Sequence, residues 1–249
     1  MKSFLLMVDS GNTNVKWGLY DGQKWVKRGM TPQGDKELLE REWRSLSEPV
    51  RVIVSNVANP QAKADLSELF SSLQTEPYWI TAAAYQCGVR NYYEEASQLG
   101  SDRWAALIAA WQQQRQGCLV VDAGTATTVD ALSDTGEFLG GIITPGIDLM
   151  QKALMENTGA LKSAAGKFCD YPDRTADAIY SGALHSIAGA IERMAALLGS
   201  TIGREPDCIL SGGAAHQLQP HLKVNTTIAD NLVLEGLALI AQEIPEAQP

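Results

Sequence analysis

The sequence is short of soft metal ligands: 249 residues hold four cysteines and three histidines. Cys87, Cys118, Cys169 and Cys208 lie far apart with no C-x-x-C pair, and no histidine stands at ligand spacing, so a zinc site is not expected. Cys118 and Cys208 sit in apolar, strand-like runs, where a thiol is ordinarily a small buried hydrophobe. His185, His216 and His221 share no spacing with each other or with a nucleophile, which leaves a Ser-His-Asp hydrolase without support. Long apolar runs are also missing: none approaches the roughly 20 residues that cross a bilayer. Phe4–Val8 follows a lysine in the manner of a secretory leader, but Asp9 cuts the run short and no small-residue cleavage site follows. A soluble cytoplasmic protein without a membrane partner is expected. Basic charge is scarce, with 20 Lys and Arg against 29 Asp and Glu for a net charge of -9. A phosphate backbone needs a basic surface, so no nucleic-acid partner is expected, and an anionic substrate would have to be drawn in by local groups.

What is present is an internal repeat. Val8-Asp9-Ser10-Gly11 and Val121-Asp122-Ala123-Gly124 match when slid by 113 positions, and identities recur at Leu19/Leu132 and Asp21/Asp134. Each copy reads as strand, tight polar turn, strand. One long period, unlike the short period of a solenoid, fits two similar lobes facing each other across a cleft. The boundary is placed between residues 116 and 117, giving lobes 1–116 and 117–249. In the first, strands at about Phe4–Asp9, Val15–Tyr20, Trp25–Met30, Arg51–Ser55 and Tyr78–Thr81 alternate with helices near Lys36–Leu46 and Ala62–Leu73. An irregular stretch Cys87–Leu99 and a helix Ser101–Gln114 come next. The second repeats the hairpin over Leu119–Leu132, adds a strand Phe138–Ile143, and continues with a helix near Ala176–Leu198, a strand Cys208–Leu210 and a last helix near Leu232–Gln242. The class is α/β, mixed sheets flanked by helices. Trp43, Trp79, Trp104 and Trp111 lie in apolar contexts that suit the core.

Three segments can carry chemistry. In Asp9-Ser10-Gly11-Asn12-Thr13-Asn14-Val15-Lys16, a Gly/Asn-rich turn can aim backbone N–H groups at an anion, with Asn12 and Thr13 as further donors and Lys16 adding charge. The same pattern is also an ordinary hairpin. Its repeat at Asp122-Ala123-Gly124-Thr125 favours the first reading, because two such turns can grip a polyphosphate. Carboxylates at the ends of buried strands are costly without a partner. That implies magnesium near Asp9 and some cation near Asp122. The third segment, Ser211-Gly212-Gly213-Ala214, lets a flat group approach the backbone closely, although a plain strand-to-helix turn has the same composition.

Taken together, the two hairpins and the late Gly-Gly pair resemble the nucleotide-binding signature of the acetate and sugar kinase, Hsp70 and actin superfamily, whose fold is a pair of duplicated actin-like (ribonuclease H-like) lobes around an interlobe cleft. Gly100-Ser101-Asp102-Arg103, the preceding Gly88-Val89-Arg90-Asn91-Tyr92-Tyr93, the run Gly140-Gly141-Ile142-Ile143-Thr144-Pro145-Gly146 and the D-x-G-N-T-x-x-K form of the first hairpin are similar to type III pantothenate kinases. The resemblance implies ATP-dependent phosphorylation of pantothenate to 4'-phosphopantothenate, the first step of coenzyme A biosynthesis. It further implies ATP with Mg2+ at Asp9–Lys16, Thr125, Gly212 and Gly213, and a potassium or ammonium ion at Asp122. Asp102 would be the base that takes the proton of the pantothenate hydroxyl. Tyr93, Gly100, Ser101 and Arg103 would contact pantothenate, as would Thr175 from the partner subunit of a homodimer with composite sites. On the residues alone, Asp102 and Thr175 are also ordinary helix caps and Arg103 an ordinary surface arginine. The segment Ser55-Asn56-Val57-Ala58-Asn59-Pro60 departs from the family's Ser-Ser-Val type of turn. Two other readings keep the fold: a kinase for another small acceptor, and a non-catalytic ATP-binding regulator.

Overall fold

Phe4–Ser10 (β1) is buried along its last five residues, the mark of a central strand covered on both faces. The computed structural model describes residues 4–46, 50–157 and 165–244. In it β1 pairs antiparallel with Asn14–Tyr20 (β2), which pairs antiparallel with Trp25–Pro32 (β3). On its other side β1 runs parallel to Val50–Asn56 (β4), and β4 runs parallel to Pro77–Trp79 (β5), giving the order β3-β2-β1-β4-β5. Two helices, Lys36–Arg44 (α1) and Pro60–Ser72 (α2), start at Asp35 and Asn59, whose side chains accept the N–H of Leu38 and Ala62. Leu39, Trp43, Leu66, Leu69 and Phe70 from these helices close over Leu6, Val8, Trp17, Val52 and Val54 of the sheet. Trp43 stacks on Phe70 at 5.3 Å and meets Trp17 edge-on at 6.4 Å, so tryptophan fills this core as expected.

Cys118–Ala123 (β8), Ala126–Leu132 (β9), Glu137–Pro145 (β10), Asp207–Ser211 (β11) and Thr226–Ile228 (β12) repeat that plan. Their order is β12-β11-β8-β9-β10, with β8 antiparallel to β9, β9 antiparallel to β10, and β11 parallel to both β8 and β12. Strand for strand these five repeat the order and directions of the first sheet, so the duplication read from the sequence extends beyond the hairpins to five strands. Thr175–Ile202 (α5) covers one face, laying Ile187, Ile191 and Leu198 on Leu119, Val121 and Leu210. Gly203 ends α5 in the left-handed conformation with φ 75°, its N–H bonded to Gly199 O.

The differences from expectation are local. Tyr85–Gln86 (β6) and Val89–Asn91 (β7) form a small hairpin inside the stretch expected to be irregular. Its turn residues Cys87 and Gly88 both have positive φ, at 48° and 83°, the demand of a type I′ turn. Cysteine in the place usually held by Asn or Asp hid it. Ile147–Asn157 (α4) was not anticipated, although Ile147, Met150 and Leu154 stand at helical spacing; of the helix only Ile147 is buried. The three-residue β12 was missed for its shortness. Ser101–Gln114 (α3) and the four-residue Ala215–Leu218 (α6) complete the elements with the last helix, Leu232–Glu243 (α7).

The chain forms two compact units, Met1–Gln112 with Leu232–Pro249, and Gln113–Asn231. A break between 116 and 117 had carried the last helix with the second lobe, whereas α7 belongs to the first. Eight of its twelve residues are buried, and it packs on β1, β2 and β4. Trp25 Nε1 donates to Glu235 Oε1 at 2.7 Å, and Arg51 Nη2 donates to Ile244 O at 2.9 Å, tying both ends down.

Within the second unit, Asp134 joins the start of β8 to the end of α5. Its Oδ1 accepts the Gly117 N–H at 2.7 Å and meets Arg204 Nη2 at 2.6 Å. The Gly117 N–H and then the Arg204 guanidinium hold the carboxyl below its ordinary range. A carboxyl whose pKa is lowered by folding stabilises above its unfolded value and loses that contribution as pH falls through the folded one. Acidification from pH 7 to pH 3 should therefore lower the melting temperature of the wild type more than that of Asp134→Asn. Parallel melting curves across that range would show that Asp134 contributes nothing.

Candidate active site

In the first unit the candidate residues of the first hairpin lie where β1 and β4 end. Asp9 pairs in register with Ser55 of β4 and lies opposite Lys16 of β2. It is 8% exposed, a carboxylate at the mouth of a buried strand. Gly11 N donates to Asn14 O at 3.0 Å, which closes the turn and leaves Asn12 and Thr13 exposed. Ser10 and Val15 differ from their neighbours. Both are buried on the core face, Val15 among the hydrophobic residues and Ser10 with an unpartnered hydroxyl. Only their backbone can serve a ligand.

The loop after β4, which departs from the family pattern, joins this hairpin to α3. Val57 N donates to Ser10 O at 3.1 Å, and Ser55 Oγ lies 2.9 Å from Ser101 Oγ in the first turn of α3. Asp102 is not the cap of α3 but its second residue, and its Oδ1 accepts the Arg103 N–H at 2.7 Å. Gly100 makes this possible. A Cβ there would lie 2.6 Å from Asp102 Oδ1, so only glycine lets the carboxylate fold back over the helix start. Burial pushes the Asp102 carboxyl up, opposed by the Arg103 N–H and the Arg103 charge. Arg103 is buried, contrary to the surface alternative. Its Nη1 lies 3.3 Å from Tyr93 Oη with the guanidinium over the ring. Asn91 positions that tyrosine by accepting the Tyr93 N–H at 3.0 Å. The neighbouring Tyr92 is 57% exposed.

In the second unit three turns converge on β8. Gly124 N donates to Ala126 O at 3.0 Å, closing the second hairpin with Thr125 exposed at its tip. Gly146, just before α4, donates its N–H to Thr125 O at 2.9 Å, and a Cβ there would collide with Gly124 O. Gly212 has φ 95°, and a Cβ on it would collide with Asp122 Oδ1 and sit 2.5 Å from Ala123 O. Ala214 N completes the clamp by donating to Ala123 O at 2.9 Å. The Gly-Gly pair therefore rests directly on Asp122, with Gly213 facing open space. Thr175 is exposed at the first position of α5, and Arg174 holds the cap position, so the plain N-cap alternative for Thr175 does not hold.

The family model of type III pantothenate kinases matches residues 5–197. This chain belongs to the type III pantothenate kinase family. The family member from Nitrosospira multiformis is 68% identical over 246 residues, covering 99% of this chain and 94% of that protein. The one from Nitrosomonas eutropha is 48% identical, covering 97% and 96%. Among solved structures, MreB5 of Spiroplasma citri bound to ADP superposes with TM-score 0.54 at 14% identity, covering 94% of each chain, which shows the actin-like fold. Ser55 and Gly146 pack against the candidate residues, and sequence reasoning gave neither of them a role. Gly146 stood in a quoted motif without a role, and the pairing of Ser55 with Asp9 becomes visible only once the register of β1 and β4 is known.

The two adjacent glycines separate in their expected effects. Gly212→Ala must adopt an unfavourable φ and displace Asp122, which costs at least ~2 kcal/mol and lowers the melting temperature by about 4–8 °C. Gly213→Ala should melt within about 2 °C of wild type. Equal melting temperatures for the two variants would show that the close packing on Asp122 is relieved cheaply.

Proposed function

We infer that this protein transfers the γ-phosphoryl group of ATP to the hydroxyl of pantothenate, giving 4'-phosphopantothenate for coenzyme A biosynthesis. Family membership supports the activity. The observation that carries the assignment of roles is Asp102, a half-buried carboxylate with a raised pKa, held at the start of α3 beside the buried Arg103. Phosphoryl transfer asks little covalent chemistry of the protein; it needs positioned charge and a group to orient the nucleophile. Asp102 accepts the proton of the attacking hydroxyl, and Arg103, backed by Tyr93, pairs with the pantothenate carboxylate. The exposed hairpin turns at Gly11–Asn14 and Gly124–Thr125 take the phosphates, with Lys16 adding charge, and Gly212–Gly213 receives the adenosine. A single carboxylate at a strand end suits magnesium, which takes one or two carboxylates and completes its shell with phosphates and water. Asp9 is that carboxylate, and the bound ion supplies charge neutralisation on the transferring group. Asp122, against the Gly212 turn, holds a potassium or ammonium ion.

Asp102→Asn should keep the fold and lower kcat by ~10²–10⁴-fold, read as pantothenate-dependent release of ADP. The wild-type kcat should also decline on acidification with a midpoint above the ordinary aspartate value of about 3.9. Turnover within a few-fold of wild type would make Asp102 a structural residue only. Release of ADP at the same rate without pantothenate would favour the regulator or another acceptor. Activity should fade when potassium is replaced by sodium, and Asp122→Ala should abolish that dependence along with most activity; equal rates in the two salts would remove the cation from Asp122.

Thr175 lies exposed at the start of α5, and we assign it to the site of a partner subunit in a homodimer. Mixing inactive Asp102→Asn with inactive Thr175→Trp subunits should restore activity, since each mixed dimer holds one site with both residues intact. No recovery after confirmed subunit exchange would return Thr175 to its own chain.

A further inference from the structure

Gly236 sits in the interior of α7, where glycine costs about 0.5–1 kcal/mol relative to alanine. No turn or positive φ calls for it. Its neighbour does: a Cβ on Gly236 would fall inside the envelope of the Ala105 carbonyl group and 2.8 Å from Ala105 Cα. Every one of those atoms is backbone, so no rotamer change relieves the overlap. The axes of α3 and α7 are therefore pressed together at this point, closer than side chains on both helices would allow. Ala105 lies three residues after Asp102, one helical turn away on the same side of α3. The depth of Gly236 also has its own tether, because the preceding residue, Glu235, accepts the Trp25 Nε1 proton at 2.7 Å.

We propose that Gly236 is a positioning residue for phosphoryl transfer: the backbone contact between α7 and α3 sets how far the first turn of α3 stands above the ends of β1 and β4, and so where the Asp102 carboxylate meets the attacking hydroxyl. This rests on the role given to Asp102 above. A displacement of about 1 Å at a reacting group can cost 10²-fold. Through this contact α7 acts on chemistry placed more than a hundred residues earlier in the sequence.

The test is Gly236→Ala beside Asp102→Asn in the full-length protein. Gly236→Ala should lower kcat by ~10–100-fold with the KM for ATP changed less than about threefold. The acidic midpoint of its kcat profile should also move toward the ordinary aspartate value, because a shifted α3 changes the burial of Asp102. Should Gly236→Ala fail to fold, Glu235→Ala removes the acceptor of the Trp25 Nε1 bond and leaves the indole in place. It should lower kcat several-fold with the same unchanged KM for ATP. A folded variant with wild-type kcat and an unmoved acidic midpoint overturns the proposal, as does a loss expressed only in the KM for ATP. If Asp102→Asn is itself fully active, the underlying role of Asp102 falls; if it is inactive while Gly236→Ala is normal, only the positioning role falls.

Discussion

A carboxylate held at the buried start of a helix is the constraint on which the rest of this structure depends. The role proposed for Asp102 requires α3 to begin where β1 and β4 end, and the contacts around that point fix the beginning. Ser55 and Ser101 share a hydrogen bond inside the protein, Val57 binds back to Ser10, and Gly100 leaves room for the carboxylate to turn over its own helix. Desolvation then raises the pKa of the group, opposed by the Arg103 N–H and the Arg103 charge.

The two units use one plan for different tasks. Each has a central strand whose penultimate residue is an aspartate, a hairpin turn closed by a glycine N–H, and a parallel neighbour to receive the chain after a helix. In the first unit the parallel neighbour β4 leads into the loop that joins the hairpin to α3 and Asp102. In the second the equivalent strand β11 leads into the Gly212 turn, which lies against Asp122. The two units thus share the hairpin turn and differ in the segments after the parallel strands, and the function proposed above gives the first segment the acceptor and the second the nucleotide.

The duplication was legible because the turn residues cannot be exchanged freely: Asp9/Asp122 and Gly11/Gly124 survive at a fixed offset although most residues between them have changed. The central strands and long helices were legible from their apolar patterns. The features that stayed hidden depended on partners distant in sequence. Nothing around Leu232–Glu243 indicates which sheet this apolar helix covers, and only its contacts with β1 and α3 settle it. The Cys87-Gly88 turn carries a residue rarely used at positive φ. At the site, the residue types at Asp102 and Arg103 were visible, but the burial of Arg103 and the half-burial of Asp102 were not, and these separate the two from a surface arginine and a plain cap.

The most direct measurement is a structure of the protein with a non-hydrolysable ATP analogue, magnesium and pantothenate. The account predicts the pantothenate hydroxyl within about 2.6–3.2 Å of an Asp102 carboxylate oxygen, in line with the terminal phosphorus, and its carboxylate paired with Arg103. Pantothenate bound with its hydroxyl directed elsewhere, and Asp102 bonded only to the amides of its own helix, would contradict it.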